Sequence, residues 1–135
     1  MHEDDLHVSF TSLFVPFTTL KAVHYIILIG FLVFGNALFN GFVWDDKTYI
    51  LNNAGVHTIN VIDAFKQNFF NNGGQYRPIP VIYFSILYSF FNTVPFFYHF
   101  IQITLHIINA LLVFLLFKHA FSKKLAFFFS LIFFD

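Results

Sequence analysis

Three groups of residues in this chain have types and spacings that could do chemistry. Asp45 and Asp46 stand side by side in "NGFVWDDKTYILNN", residues 40 to 53, in a chain that otherwise uses charge sparingly. His99, Gln102, His106 and Asn109 follow one another at steps of three, four and three. On a helix that spacing puts two imidazoles and two amides on one face. Arg77, the one arginine, lies between Tyr76 and Pro78, and its planar fork suits phosphate. Each group has a plainer alternative. The acids could belong to a solvated turn that caps a helix. The polar stripe could be hydrogen-bonding glue between helices, and Arg77 could simply reach toward lipid headgroups. A metal centre has less behind it. There are seven His but no HExxH or comparable spacing, so His99 and His106 would need a carboxylate from another helix. No GxGxxG, P-loop or nucleophile elbow occurs. No cofactor is called for, and a divalent metal stays open.

The elements that must position these residues are set by an unusual composition. Of 135 residues, 58% are hydrophobic, 10% are charged and 24 are Phe. A soluble domain carries about a quarter charged residues to face water, and a chain this short has no aqueous core that could hide so many Phe. A membrane protein is expected. Net charge is zero with His neutral, so no basic footprint argues for nucleic acid. Without Cys there are no disulfides or thiolate metal sites, and the redox compartment stays open. Residues 1–20 hold three acids and no Lys or Arg. They lack the positive region of a cleavable signal peptide and are read as a cytoplasmic leader.

Residues 21–41 have no charge after Lys21 and are long enough, at about 30 Å, to cross a bilayer core. Asn36 and Asn40, one turn apart near the far end, fit packing through small and amide side chains. Residues 42–94 form the connecting loop. Within it, about 59–71 should be a surface-lying amphipathic helix, with Ile62, Phe65 and Phe69 opposite Asn60, Asp63 and Gln67. "NNGG" then breaks the pattern. Residues 78–92 are apolar, and Pro78 and Pro80 are tolerated only at a helix start. At about 22 Å this piece is short for a span. Residues 95–117 make a second span, 118–124 a basic loop, and 125–135 the start of a third. Lys118, Lys123 and Lys124 belong inside by the positive-inside rule, as does Lys21. Two spans fit between these markers, which makes 78–92 a re-entrant or surface helix and puts 42–94 on the non-cytoplasmic side. Because 125–135 is only about half a span, the chain is expected to be the N-terminal fragment of a larger protein. The fold class expected is an all-α membrane protein: transmembrane helices joined by an extracytoplasmic loop that carries juxtamembrane helices.

Taken in order, "FVWDDKTYILNN", "YRPI" and "YHFIQITLH" resemble the N-terminal part of the transmembrane and tetratricopeptide-repeat O-mannosyltransferase family and its bacterial relatives, within the type-C glycosyltransferases. Asp45, Asp46, Ile50 and Asn53 match the first element. Tyr76, Arg77 and Pro78 match the second, with Ile79 in place of Leu. Tyr98, His99 and His106 match the third, where Gln102 replaces the usual Asn. The resemblance covers roughly residues 36–124. Relatives carry a His-Pro and an acidic residue in their third span, so the site in this chain is expected to be incomplete and the chain alone inactive.

The resemblance implies transfer of a sugar, such as mannose, from a polyprenyl-phosphate donor to an acceptor protein or glycan. It places the protein, as a multi-pass component, in a bacterial inner membrane or the endoplasmic reticulum. It implies Asp45 as catalytic base, Asp46 as its neighbour or an acceptor contact, Arg77 with Tyr76 as a phosphate partner, and His99, Gln102 and His106 lining the lipid-phosphate cleft. A hydroxyl is a poor nucleophile near neutral pH and needs a carboxylate to take its proton. A phosphate leaving group is already a stable anion and needs no acid, unlike the two-carboxylate arrangement of glycoside hydrolysis. The rival expectation is a non-enzymatic transporter subunit or assembly protein, in which the stripe packs helices or conducts protons.

Overall fold

The computed structural model describes residues 18–66 and 76–134. Among these, every regular element is helical: α1 Thr19–Phe34, α2 Val61–Lys66, α3 Pro78–Phe91, α4 Pro95–Ala120 and α5 Lys123–Ile132. They fall into two compact units. One holds α1, α4 from Ile101 onward, and α5; the other runs from Leu38 to Phe100.

In the first unit, α1 starts where the Thr18 hydroxyl accepts a hydrogen bond from the Lys21 N–H at 3.2 Å. It ends at Phe34, earlier than the expected 41, and Gly35–Phe39 continues as a tighter 3₁₀ turn. Gly35 and Asn36 are poor helix formers, which favours the change. Thr19–Phe39 and α4 are both long and apolar enough to cross a membrane. Only 17% and 22% of their most apolar windows are buried inside the protein, whereas a soluble core helix would be mostly covered. The face of α1 that is buried carries Ala22, Ile26 and Gly30, one turn apart. Gly30 is required by close approach, because a Cβ there would stand 2.6 Å from Cγ1 of Ile107. The buried side chains of α4 in this unit are Ile103, Ile107, Ala110 and Phe114. The basic stretch 118–124 is mostly helix rather than loop. Lys118 and His119 extend α4 at its C-terminal turn, where the exposed carbonyl ends favour cations. The Ser122 hydroxyl accepts from the Leu125 N–H at 3.4 Å and starts α5 two residues before the expected 125.

In the second unit, residues 42–66 of the long polar stretch are folded. A π-helical turn, Lys47–Leu51, and a 3₁₀ turn, Ala54–Val56, precede α2. Neither was expected from the pattern. A helix, α2, lies within the expected 59–71, starting at Val61; residues 67–71 of that expectation lie outside the described residues. Asn60 caps α2, its side-chain oxygen accepting from the Asp63 N–H at 3.1 Å while its amide donates to the Asp63 carboxylate. Ile62 and Phe65 are exposed and Ala64 is buried. Tyr76 O–H donates to the Phe65 carbonyl at 3.2 Å. This bond brings the end of α2 to the start of α3, against which α2 packs. Pro78 opens α3, at the position where its missing N–H costs nothing. Asn92 closes α3 with a left-handed φ of 50°, its N–H bonding the Tyr88 carbonyl at 2.8 Å. Ser85 O–H bonds the Val81 carbonyl at 2.8 Å and the Gly55 carbonyl at 3.4 Å, joining α3 to the 3₁₀ turn. Ile50, Val56, Leu87 and Tyr98 form the buried centre.

Candidate functional site

The two adjacent acids do different work. The Asp46 carboxylate accepts from the Val43 N–H at 3.2 Å, and the Asp46 N–H returns to the Val43 carbonyl at 2.9 Å. Lys47 N–H bonds the Trp44 carbonyl at 3.2 Å. Asp46 is therefore taken up in closing a tight turn and leading into the π-helical turn behind it. Asp45, at the tip, is exposed, and its carboxylate has no hydrogen bond or ion pair among the described residues. Trp44 just before it is 91% exposed and holds a φ of 41°. A bulky side chain in that left-handed region costs about 1–2 kcal/mol, and such strain collects where a neighbouring group must be aimed.

Two anchors hold this turn. On one side, Phe42 meets the Tyr98 ring edge-on at 5.2 Å, and Tyr98 O–H is fixed by the Asn92 carbonyl at 2.7 Å. On the other, Ile50 is 1% exposed, and its carbonyl lies 2.9 Å from Nε2 of His57, whose ring stacks on Tyr88 at 4.2 Å. Tyr88 and Asn92 are both at the C-terminal end of α3. The Asp45 turn thus sits at that end, together with Tyr98 and its neighbour His99. The His99 Nε2 is shut off from the surroundings and has no hydrogen-bond partner among the described residues.

Arg77 and Tyr76 belong to the same unit but stand at the opposite end of α3. The helix has 14 residues, or about 21 Å of rise. Arg77 is exposed with no side-chain capping bond, while the Tyr76 hydroxyl is engaged with Phe65. The structure accordingly brings the acids and His99 to one end of the unit and leaves Arg77 at the other.

The stripe of four polar residues is carried by the continuous helix α4. Gln102 and Asn109 are exposed, and His106 is half-buried. In its unit His106 is set among aromatics. Phe34 presents an edge at 5.1 Å, Phe133 stacks at 5.2 Å and Phe134 lies tilted at 5.6 Å.

Two further groups carried no sequence signal. The Tyr83 hydroxyl is enclosed without a partner among the described residues, and burial pushes it above the ordinary phenol range. His57 takes its partners from seven residues back and thirty-one ahead, a pairing that no local spacing reveals. Among the described residues no three of His, Cys, Asp and Glu come together. No known protein family, curated protein or solved structure matches this chain.

Proposed function

We propose that this chain belongs to an integral-membrane glycosyltransferase of the type-C kind. It would move a sugar such as mannose from a polyprenyl-phosphate donor to an acceptor hydroxyl on the non-cytoplasmic side. The observation that carries the reading is the division of labour within the acidic pair: Asp46 is consumed in the turn, and Asp45 stands exposed at its tip with no hydrogen bond or ion pair among the described residues. A purely structural Asp-Asp turn needs one capping carboxylate and gives the second no task. The membrane setting draws support from two long apolar helices that the protein itself leaves largely uncovered.

In the reaction, Asp45 accepts the proton of the acceptor hydroxyl as that oxygen attacks the anomeric carbon. The bond from that carbon to the polyprenyl phosphate breaks, and the phosphate leaves as an anion. Protonating the leaving oxygen is unnecessary, so hydrogen-bond donors suffice on that side. The imidazole of His99, in the same unit as Asp45, is the donor this reading assigns to it. Arg77, about 21 Å away at the other end of α3, is left to lipid headgroups in this reading.

The test is Asp45→Asn in the whole enzyme to which this chain is proposed to belong, in its native membrane, assayed with a radiolabelled polyprenyl-phosphate sugar. Loss of a general base should lower transfer on the order of 10²–10⁴-fold, with insertion and abundance unchanged. Undiminished transfer removes Asp45 from the reaction. One observation favours a second reading, a non-enzymatic membrane component. His106 is surrounded by Phe34, Phe133 and Phe134, an environment that suits helix packing as well as it suits a ligand cleft.

A further inference from the structure

We infer that His57 is a positioning residue that fixes where Asp45 points. The segment from Val43 to Asn52 is a coil closed on itself: Val43 to Asp46, Trp44 to Lys47 and Lys47 to Asn52 are joined by backbone or carboxylate hydrogen bonds. Such a coil moves as one piece, and its direction is set by what holds its ends. The Phe42–Tyr98 contact holds one end. At the other end the holding group is the imidazole of His57.

The chemistry of that contact is unambiguous about the proton. A carbonyl oxygen only accepts, so the 2.9 Å contact from the Ile50 carbonyl to His57 requires Nε2 to carry the hydrogen. The ring plane is set by Tyr88, stacked at 4.2 Å with 17° between planes. Tyr88 in turn belongs to α3, the longest helix wholly inside this unit. His57 therefore transmits the position of a rigid helix to a short strained turn through one donor and one ring face. The 3₁₀ turn that bears His57 is itself tied down. Gly55 N–H donates to the Asn53 side chain at 3.0 Å, and the Gly55 carbonyl accepts from Ser85. Removing the imidazole donor would leave the Ile50 carbonyl unpaired beside a side chain that is 1% exposed. The coil would then be free to pivot about Phe42.

The catalytic consequence rests on the proposed transferase reading; the mechanical one does not. The sole Trp of the chain, Trp44, adjoins Asp45 and reports the motion directly. The experiment compares the whole chain in phosphatidylcholine vesicles with His57→Phe, which keeps a ring for Tyr88 and removes the donor, and with His57→Gln, which keeps a donor. His119→Phe, at the exposed end of α4, is the control. The expected result is a loss of Trp44 fluorescence anisotropy in His57→Phe at unchanged helical circular dichroism, partial recovery in His57→Gln, and no change in the control. In native membranes, His57→Phe should lower kcat on the order of ten- to a hundredfold, as for a displaced catalytic group, while the KM for the lipid-linked donor holds. Unchanged Trp44 anisotropy in His57→Phe overturns the inference, whatever transfer does. An unchanged kcat, in a protein that Asp45→Asn inactivates, overturns it too. If Asp45→Asn has no effect on transfer, the transferase reading is what fails, and the anisotropy alone decides the role of His57.

Discussion

Gly30→Ala tests the helix packing of the first unit by a single methyl group. That carbon would lie 2.6 Å from Cγ1 and 2.9 Å from Cδ1 of Ile107, and 3.1 Å from Cζ of Phe134. Carbons in good contact sit about 3.5–4.0 Å apart, so the nearest approach is about 1 Å too short. Ile107 and Phe134 are 4% and 8% exposed. Overpacking of this kind costs about 1–3 kcal/mol. Working against it, alanine is favoured over glycine inside a helix by about 0.5–1 kcal/mol. Gly35→Ala isolates most of that second effect, since nothing lies within 4 Å of its Cβ position and its φ is −58°. Gly30→Ala should therefore be less stable than Gly35→Ala by about 1–3 kcal/mol, with Gly35→Ala at or above the parent. Unfolding titrations with SDS in mixed micelles, followed by circular dichroism, would measure all three. Ile107→Ala deletes the atoms in conflict, so it should cost less in the Gly30→Ala background than in the parent, by coupling of about 0.5–3 kcal/mol. Equal stabilities for the two glycine variants, or additive costs in the double variant, would refute the close approach.

Two other outcomes follow from particular geometries. Trp44→Gly should raise stability by about 1 kcal/mol in the same titration, because it removes a left-handed penalty from a side chain that buries almost nothing; a loss of stability would mean the indole makes a contact that matters. Tyr98→Phe keeps the ring against Phe42 but deletes the 2.7 Å bond to the Asn92 carbonyl. It should cost about 1 kcal/mol and speed amide exchange at Asn92–Val94, and no change in either would show that the turn stands without it.

The long apolar elements were readable because their signal is local. Uninterrupted runs near twenty residues mark Thr19–Phe39 and α4, and Pro78 marks the start of α3 at the expected residue. Their ends were less readable. Gly35 and Asn36 turn α1 into a 3₁₀ turn, while Lys118 and His119 prolong α4 past 117. In each case end effects of a few tenths of a kcal/mol to about 1 kcal/mol compete with the apolar pattern. The turns at 47–51 and 54–56 were not legible at all. They exist through His57 on Ile50 and Ser85 on Gly55, the second of which spans thirty residues. The same holds for the acids: their adjacency was visible, yet which one closes the turn depends on a backbone twist at Trp44 that no spacing encodes. The separation of Arg77 from Tyr98 was legible, since the helix expected over 78–92 lies between them and the structure shows it as α3.

Between α4 and α5 only Phe121 and Ser122 are outside a helix, so Lys118, Lys123 and Lys124 ride on one compact tip. In a bilayer each ammonium taken to the centre costs roughly 2.5–3.5 kcal/mol, and so short a link obliges all three to cross together or not at all. In the membrane setting proposed above, orientation would then be a collective property of this tip, since neutralising a single lysine still leaves two charges to carry across, at roughly 5–7 kcal/mol.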